Sequence, residues 1–284
     1  MDSSTLISAE ALAEQLDSPG LFIFDCRFDL ARPDYGRSSF DDEHLPGAIH
    51  ADLGRDLSAP RATGSGRHPL PDAETFASRL RDWGLNQDSG VVVYDDNNGM
   101  YAARLWWMLR WLGHDRVALL DGGLRRWRQL DLPLADSTTR RRRGNFMARP
   151  RPGMLADIEM VAAAALDEER RVIDVRGAER YRGEIEPLDP VAGHVPGARN
   201  YPFTQNVAED ARFLPAAVMR DALLQGLDGI AAEHAIAMCG SGVTACHFLL
   251  ALEHAGLPGA RLYAGSWSEW VTDPTRPVAT GETP

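Results

Sequence analysis

The chain repeats itself, block by block and in the same order. Phe22-Ile23-Phe24-Asp25-Cys26-Arg27 returns as Val172-Ile173-Asp174-Val175-Arg176, which aligns Asp25 with Asp174. His44-Leu45-Pro46-Gly47-Ala48 returns as His194-Val195-Pro196-Gly197-Ala198, and Val91-Val92-Val93-Tyr94-Asp95 as Ala235-Ile236-Ala237-Met238-Cys239. Leu120-Asp121-Gly122-Gly123 through Trp127 matches Tyr263-Ala264-Gly265-Ser266 through Trp270. Matched blocks at a nearly constant separation imply two copies of one folding unit. With 284 residues, each copy is long enough to bury its own core.

Within each copy, short apolar runs alternate with helical patterns. The runs are Leu21–Phe24, Val91–Tyr94 and Val117–Leu120, then Val172–Val175, Ala235–Met238 and Arg261–Tyr263. Helical periodicity covers Ala9–Gln15, Ala73–Trp83, Tyr101–Leu112, Asp157–Leu166, Ala216–Gln225 and Val243–Ala255. Such alternation predicts an α/β protein of two tandem domains, each a parallel sheet with helices on both faces. The expected boundaries are 1–136 for the first domain, 137–153 for an arginine- and proline-rich linker, and 154–284 for the second. In that linker Arg140–Arg143 reads as a solvated charge run. Functional groups in such sheets sit beyond the carboxyl ends of the strands.

Cys239 falls at such a position. An apolar strand runs into Cys239-Gly240-Ser241-Gly242-Val243-Thr244 and then into a helix. Gly240 and Gly242 let the backbone curl so that successive N–H groups point at the sulfur, and the helix adds its positive end. Both effects favour thiolate over thiol, and the thiolate is the nucleophile. The first copy has Asp95 at this place, so its site is expected to be catalytically silent.

Composition excludes several alternatives. A formal charge of −11 argues against a nucleic-acid binder. No apolar run reaches a membrane-spanning length, and the start of the chain lacks signal-peptide character, which together predict a cytoplasmic protein. Cys26, Cys239 and Cys246 form neither a disulfide framework nor a zinc set. All basic residues are arginine, so no lysine is available for Schiff-base chemistry. A cysteine phosphatase would need an arginine six residues after the nucleophile, where Ala245 stands.

On the duplication, both His-x-Pro-Gly-Ala blocks, the Cys239–Thr244 loop and the closing Gly265-Ser266-Trp267-Ser268-Glu269-Trp270, the chain resembles the two-domain sulfurtransferases of the rhodanese family. Its loop is similar to that of the members that use 3-mercaptopyruvate. Relatives that use thiosulfate carry basic residues where this chain has Gly240 and Ser241.

The resemblance implies that Cys239 takes sulfur from a small-molecule donor as a persulfide, releasing pyruvate. A thiol acceptor such as thioredoxin, or cyanide, then removes it; no metal or organic cofactor is implied. It further implies a relay of Ser241, His68 and an aspartate, Asp52 or the nearby Asp56. Gly240, Ser241, Gly242, Val243 and Thr244 form the cradle, and Arg180 holds the substrate carboxylate. Relatives place a second arginine soon after, where this chain reads Glu184-Ile185-Glu186-Pro187-Leu188-Asp189-Pro190. Arg182 is the candidate substitute. Thiosulfate sulfurtransfer and a persulfide-carrier module are the alternatives.

Other conspicuous residues have plain structural readings. Cys26 and Cys246 read as core. His44 and His194 recur in both copies and read as ligands of loop backbone. Asp25 with Arg27, and Asp174 with Arg176, read as paired strand ends. Trp106, Trp107 and Trp111 have core spacing, while Trp267 stands as a candidate ligand contact.

Overall fold

A computed structural model describes residues 5–138, 141–164, 167 and 169–283. The chain divides into two units. The first comprises Met1–Ala59, Leu70–Arg151 and Val207–Phe213; the second comprises Pro60–Pro69, Pro152–Asn206 and Leu214–Pro284.

In the first unit the order is β1 (Leu6–Ile7), α1 (Ala9–Ala13), β2 (Leu21–Asp25), α2 (Tyr35–Asp42), β3 (Ala48–His50), α3 (Ala73–Asp82), β4 (Gly90–Tyr94), α4 (Ala102–Trp111), β5 (Val117–Leu120) and α5 (Gly123–Gln129). The strands form a parallel sheet in the order β1-β5-β4-β2-β3. The second unit contains β6 (Leu155–Ala156), α6 (Ile158–Ala164), β7 (Arg171–Asp174), α7 (Ala178–Tyr181), β8 (Arg199–Asn200), α8 (Ala216–Gly226), β9 (Ala235–Met238), α9 (Thr244–His254), β10 (Arg261–Tyr263) and α10 (Ser266–Trp270). Its parallel sheet has the same permutation, β6-β10-β9-β7-β8.

The central strands are buried on both faces, which explains their unbroken apolar sequences. Helices α4 and α9, which follow them, are buried on nearly every side. Helix α3 shows the other pattern. Asp72 caps it by accepting the Glu74 and Thr75 N–H groups, Arg79 and Arg81 face its negative end, and only Phe76, Ala77 and Leu80 are buried.

The duplication extends to individual hydrogen bonds. Asp25 and Asp174 end β2 and β7, and each carboxylate accepts the backbone N–H and guanidinium of the arginine two residues on. Both pairs are almost completely buried, and the remaining guanidinium donors reach the Ser39 and Glu43 carbonyls in one case and Gly193 O in the other. That satisfaction is what makes a buried ion pair tolerable. His44 stacks on Phe40 and bonds its carbonyl at 2.7 Å; His194 stacks on Tyr181 and bonds its carbonyl at 2.8 Å.

The segment after α5 differs from expectation. Phe146 is fully buried, and Gly144, Phe146, Arg149 and Arg151 donate backbone N–H groups to the carbonyls of Arg81, Leu85, Leu112 and Trp111. Arg141 lays its guanidinium over the Phe22 ring, and Arg143 pairs with Asp82. Of the arginine run, Arg141 is drawn onto the first unit while Arg142 and Arg143 stay exposed; Arg140 lies outside the described residues. The Asp157–Leu166 helix is found as Ile158–Ala164, and Leu166 is likewise outside. No helix among the described residues is long and apolar enough to cross a membrane.

Candidate active site

In both sheets the central strand ends opposite a buried aspartate. Tyr94 of β4 pairs with Asp25, and Met238 of β9 pairs with Asp174. The next residue, Asp95 or Cys239, therefore leaves the carboxyl end of the sheet at the same point. Cys239 is 3% exposed. Its N–H donates to Ser266 Oγ at 3.1 Å, and that hydroxyl donates to Tyr263 O at 2.8 Å. The Cys239 and Gly240 carbonyls accept the Trp267 and Ser268 N–H groups at the start of α10.

Two glycines shape the loop, for different reasons. Gly242 has φ +75°, and a Cβ there would lie 2.3 Å from Ala264 O. Both the conformation and the space exclude a side chain. At Gly240 the close neighbours are guanidinium groups, with Arg67 Nη2 at 2.8 Å from an added Cβ and both Arg180 Nη atoms at 3.5 Å. Val243 closes the loop and Thr244 begins α9.

His68 Nδ1 lies 2.8 Å from Ser241 Oγ, two residues beyond Cys239. His68 belongs to the stretch Pro60–Pro69, which lies within the first sequence repeat but in the second structural unit. Gly66 explains the docking of that stretch, since a Cβ there would meet Gly265 O at 2.5 Å. The Arg67 N–H then donates to Ser268 Oγ at 3.0 Å. Asp52 lies in the first unit, where its Oδ1 accepts the Arg55 N–H and its own N–H donates to Asp56 Oδ2.

Around the loop stand three arginines and three carboxylates. Arg180 grips Glu186, with Nη2 at 2.6 Å from Oε1 and Nε at 3.2 Å from Oε2. Glu186 also accepts Arg176 Nη1 at 3.2 Å. Burial pushes the Glu186 pKa up, but the Arg180 and Leu188 donors and both positive charges hold it below the usual carboxylate range. Asp189 pairs with Arg67 through one oxygen and lies 3.5 Å from Arg180 Nη2 through the other. For Arg176 burial opposes the charge, yet Asp174, Glu186 and Cys239 together favour the cation. Arg182 is turned to the exposed Glu184. The loop is therefore met by Arg180 and Arg67, not by Arg182.

Trp267 does not face a ligand. It is fully buried, donates Nε1–H to Val191 O at 2.9 Å, and supports the Arg176 guanidinium 4.7 Å above its ring. Cys26 and Cys246 are buried core thiols, the latter bonded to Gly242 O.

Arg67, Glu186, Asp189 and Ser266 escape sequence reasoning. The last leaves a trace, since Ser266 aligns with Gly123 in the repeat. Both have left-handed backbone, φ 54° and 55°. A serine where its twin is glycine signals that its side chain has work there.

In the first unit Asp95 fills its own cradle. Oδ1 accepts the N–H groups of Asn97 and Gly99, and Oδ2 those of Tyr101 and Ala102, at 2.9 to 3.2 Å. Burial raises its pKa while these donors pull the other way. The Leu124 and Arg125 N–H groups cap the Asp95 and Asp96 carbonyls as Trp267 and Ser268 do in the second unit.

The Rhodanese-like domain profile matches residues 8–130 and 159–273, once in each unit's sheet. The chain belongs to the rhodanese family. A Pseudomonas aeruginosa protein named as a probable 3-mercaptopyruvate sulfurtransferase is 50% identical over 284 residues, covering 99% of this chain and all of that one. SseB of Mycobacterium tuberculosis, provisionally named a thiosulfate sulfurtransferase, is 36% identical over 285 residues, 97% of each chain. Among solved structures, SseA of Escherichia coli, described as a 3-mercaptopyruvate sulfotransferase, superposes with a TM-score of 0.82 at 35% identity. That match covers 93% of this chain and 99% of SseA. Both rhodanese-like sheets are thus shared with relatives along their length, and only the second carries the cysteine.

Proposed function

We propose that this rhodanese-family protein is a 3-mercaptopyruvate sulfurtransferase working through Cys239. The observation that carries the reading is the 2.8 Å contact between His68 Nδ1 and Ser241 Oγ beside a loop with no basic residue of its own.

The Cys239 thiolate forms a bond to the donor's sulfur, and the carbon–sulfur bond breaks with its electron pair passing into the enolate of pyruvate. The proton originally on the donor thiol is returned to carbon, through Ser241 and His68. Pyruvate leaves and a persulfide stays on Cys239. Backbone N–H groups of Gly240 to Thr244 and the end of α9 stabilise the negative sulfur. Arg180 aligns the donor carboxylate. An acceptor thiolate, such as that of thioredoxin, or cyanide then takes the outer sulfur and regenerates the Cys239 thiolate.

We read the first half, with Asp95 in its own cradle, as catalytically silent, and the protein as cytoplasmic, in keeping with its three free thiols.

Thiosulfate is the second reading, favoured by the likeness to SseB. A dianion calls for more positive charge than this site leaves unpaired. Steady-state turnover with each donor, for wild type and Cys239→Ser, decides between them. Preference for mercaptopyruvate, abolished in the variant, is expected. Preference for thiosulfate would reverse the assignment, and turnover surviving in Cys239→Ser would end the mechanism.

A further inference from the structure

Two guanidiniums converge on Gly240, the residue after the nucleophile, although they come from separate parts of the chain. Like charges at such range repel unless an anion lies between them. Asp189 provides that anion. Its side chain is only 4% exposed, with one oxygen on Arg67 and the other facing Arg180. A carboxylate bridging two guanidiniums next to Cys239 is the arrangement a 2-oxo acid donor itself would adopt.

We propose that Asp189 is a built-in occupant of the donor-carboxylate subsite, and that Arg67 and Arg180 form the clamp it vacates when a carboxylate-bearing donor binds. This rests on the mercaptopyruvate reading. Arg67 then supplies the second positive charge, in place of an arginine from the Glu184–Pro190 stretch.

The surroundings suit an exchange. Arg180 stays held by Glu186 after Asp189 leaves, and Arg67 stays anchored through its N–H on Ser268. Glu186 is itself fixed by Arg176, and Val191 by the Trp267 indole. Between those two fixed points Asp189 is flanked by prolines and by the exposed Leu188. The Asp189 backbone N–H donates to Glu186 Oε1 at 3.2 Å, so the exchange is a swing of the Asp189 side chain on a held backbone. A monoanionic carboxylate replaces Asp189 one for one, whereas a dianion meets a clamp already half neutralised by Glu186. Asp189 thereby contributes to donor selection.

An internal competitor lowers apparent affinity in proportion to the time it occupies the site. The test is calorimetric titration of the wild-type protein, Asp189→Asn, Asp189→Ser and Arg67→Gln with pyruvate, alongside KM for mercaptopyruvate. Asp189→Asn and Asp189→Ser are expected to bind pyruvate about five- to tenfold more tightly and to lower KM similarly. Arg67→Gln is expected to weaken both by about tenfold or more and to cancel the gain from Asp189→Asn in the double variant. Unchanged or weaker pyruvate binding in both folded Asp189 variants overturns the proposal, because Asp189 would then only position the arginines. If wild type fails to turn over mercaptopyruvate, it is the donor reading that falls, and the pyruvate titration still judges Asp189 separately.

Discussion

The Cys239 backbone N–H is held by the side chain of Ser266, a residue 27 positions later whose own backbone is left-handed at φ 54°. A non-glycine residue pays roughly 1 to 2 kcal/mol for that conformation. Two hydrogen bonds through Oγ, to Cys239 and Tyr263, offset it. Gly123 takes the same conformation in the first unit without needing them.

Ser266→Ala therefore keeps the strain and strips the buried N–H of its partner. It is expected to destabilise the second unit by about 1 to 3 kcal/mol. Ser266→Gly loses the same bonds but relaxes the backbone, and should cost about 1 kcal/mol less. Chemical denaturation of the three proteins gives the ordering. A glycine variant less stable than the alanine variant would show that strain is not what Ser266 carries.

The Ser241–His68 pair should matter for one donor and not the other. Mercaptopyruvate releases a carbon leaving group that must be protonated, whereas thiosulfate releases sulfite, a weak base that leaves as an anion. Ser241→Ala and His68→Asn are expected to lower kcat with mercaptopyruvate by about a hundredfold, a typical loss of general-acid assistance. Residual thiosulfate turnover should change by far less. Equal losses with both donors would assign the pair to shaping the loop instead.

Much of this architecture is legible from sequence, and the limits have physical causes. Strands β4 and β9 announce themselves because burial on both faces demands unbroken apolar runs. Edge strands β1 and β6 are two residues long, too short to show any period. Cys239 is legible because its glycines have no other explanation in a strand-to-helix turn. His68 is marked only by the family resemblance, and Arg67 beside it carries no local signal. Both reach the site through a long-range docking of Gly66 on Gly265, which no local pattern encodes. Asp189 and Glu186 occupy the stretch that reads as deficient for want of an arginine, yet their carboxylates organise the arginines that are present.

Acid should weaken the fold through its buried histidines. Burial lowers the pKa of His50 and of His114, overcoming the opposing pull of Asp25 and Asp52 on the first and of Asp115 on the second. Both rings are therefore neutral in the folded protein at pH values where the unfolded chain, titrating near the ordinary value of about 6.5, already takes protons. In that window the unfolded state binds more protons, so stability rises with pH. The melting temperature is expected to be level above about pH 7 and to fall as pH drops through about 6.5 toward the folded-state values. His114→Asn should lessen the slope below about pH 6.5. A melting temperature independent of pH from about 7.5 to about 5.5 would contradict the burial of these rings.

Asp95 offers the sharpest test of what replaced the cysteine in the first unit. Four backbone N–H groups converge on its carboxylate, which sits at 2% exposure. Asp95→Ala leaves the four donors without their acceptor, those of Gly99 and Ala102 in buried surroundings, at about 1 to 3 kcal/mol for each group that water cannot reach. Asp95→Asn keeps one oxygen for Asn97 and Gly99 but presents an amide NH2 to Tyr101 and Ala102. The expected stability order is wild type, then Asn, then Ala, with a loss of at least about 2 kcal/mol for Ala. Asp95→Cys should recover little of this, since one sulfur replaces two oxygens. It should also fail to create a second sulfur-transfer site, because the arginines that surround Cys239 come from segments of the second unit. Denaturation of the three variants measures the order. Sulfur transfer by an Asp95→Cys, Cys239→Ser double variant would show that the cradle alone suffices, and that the Arg67–Arg180 surroundings are dispensable.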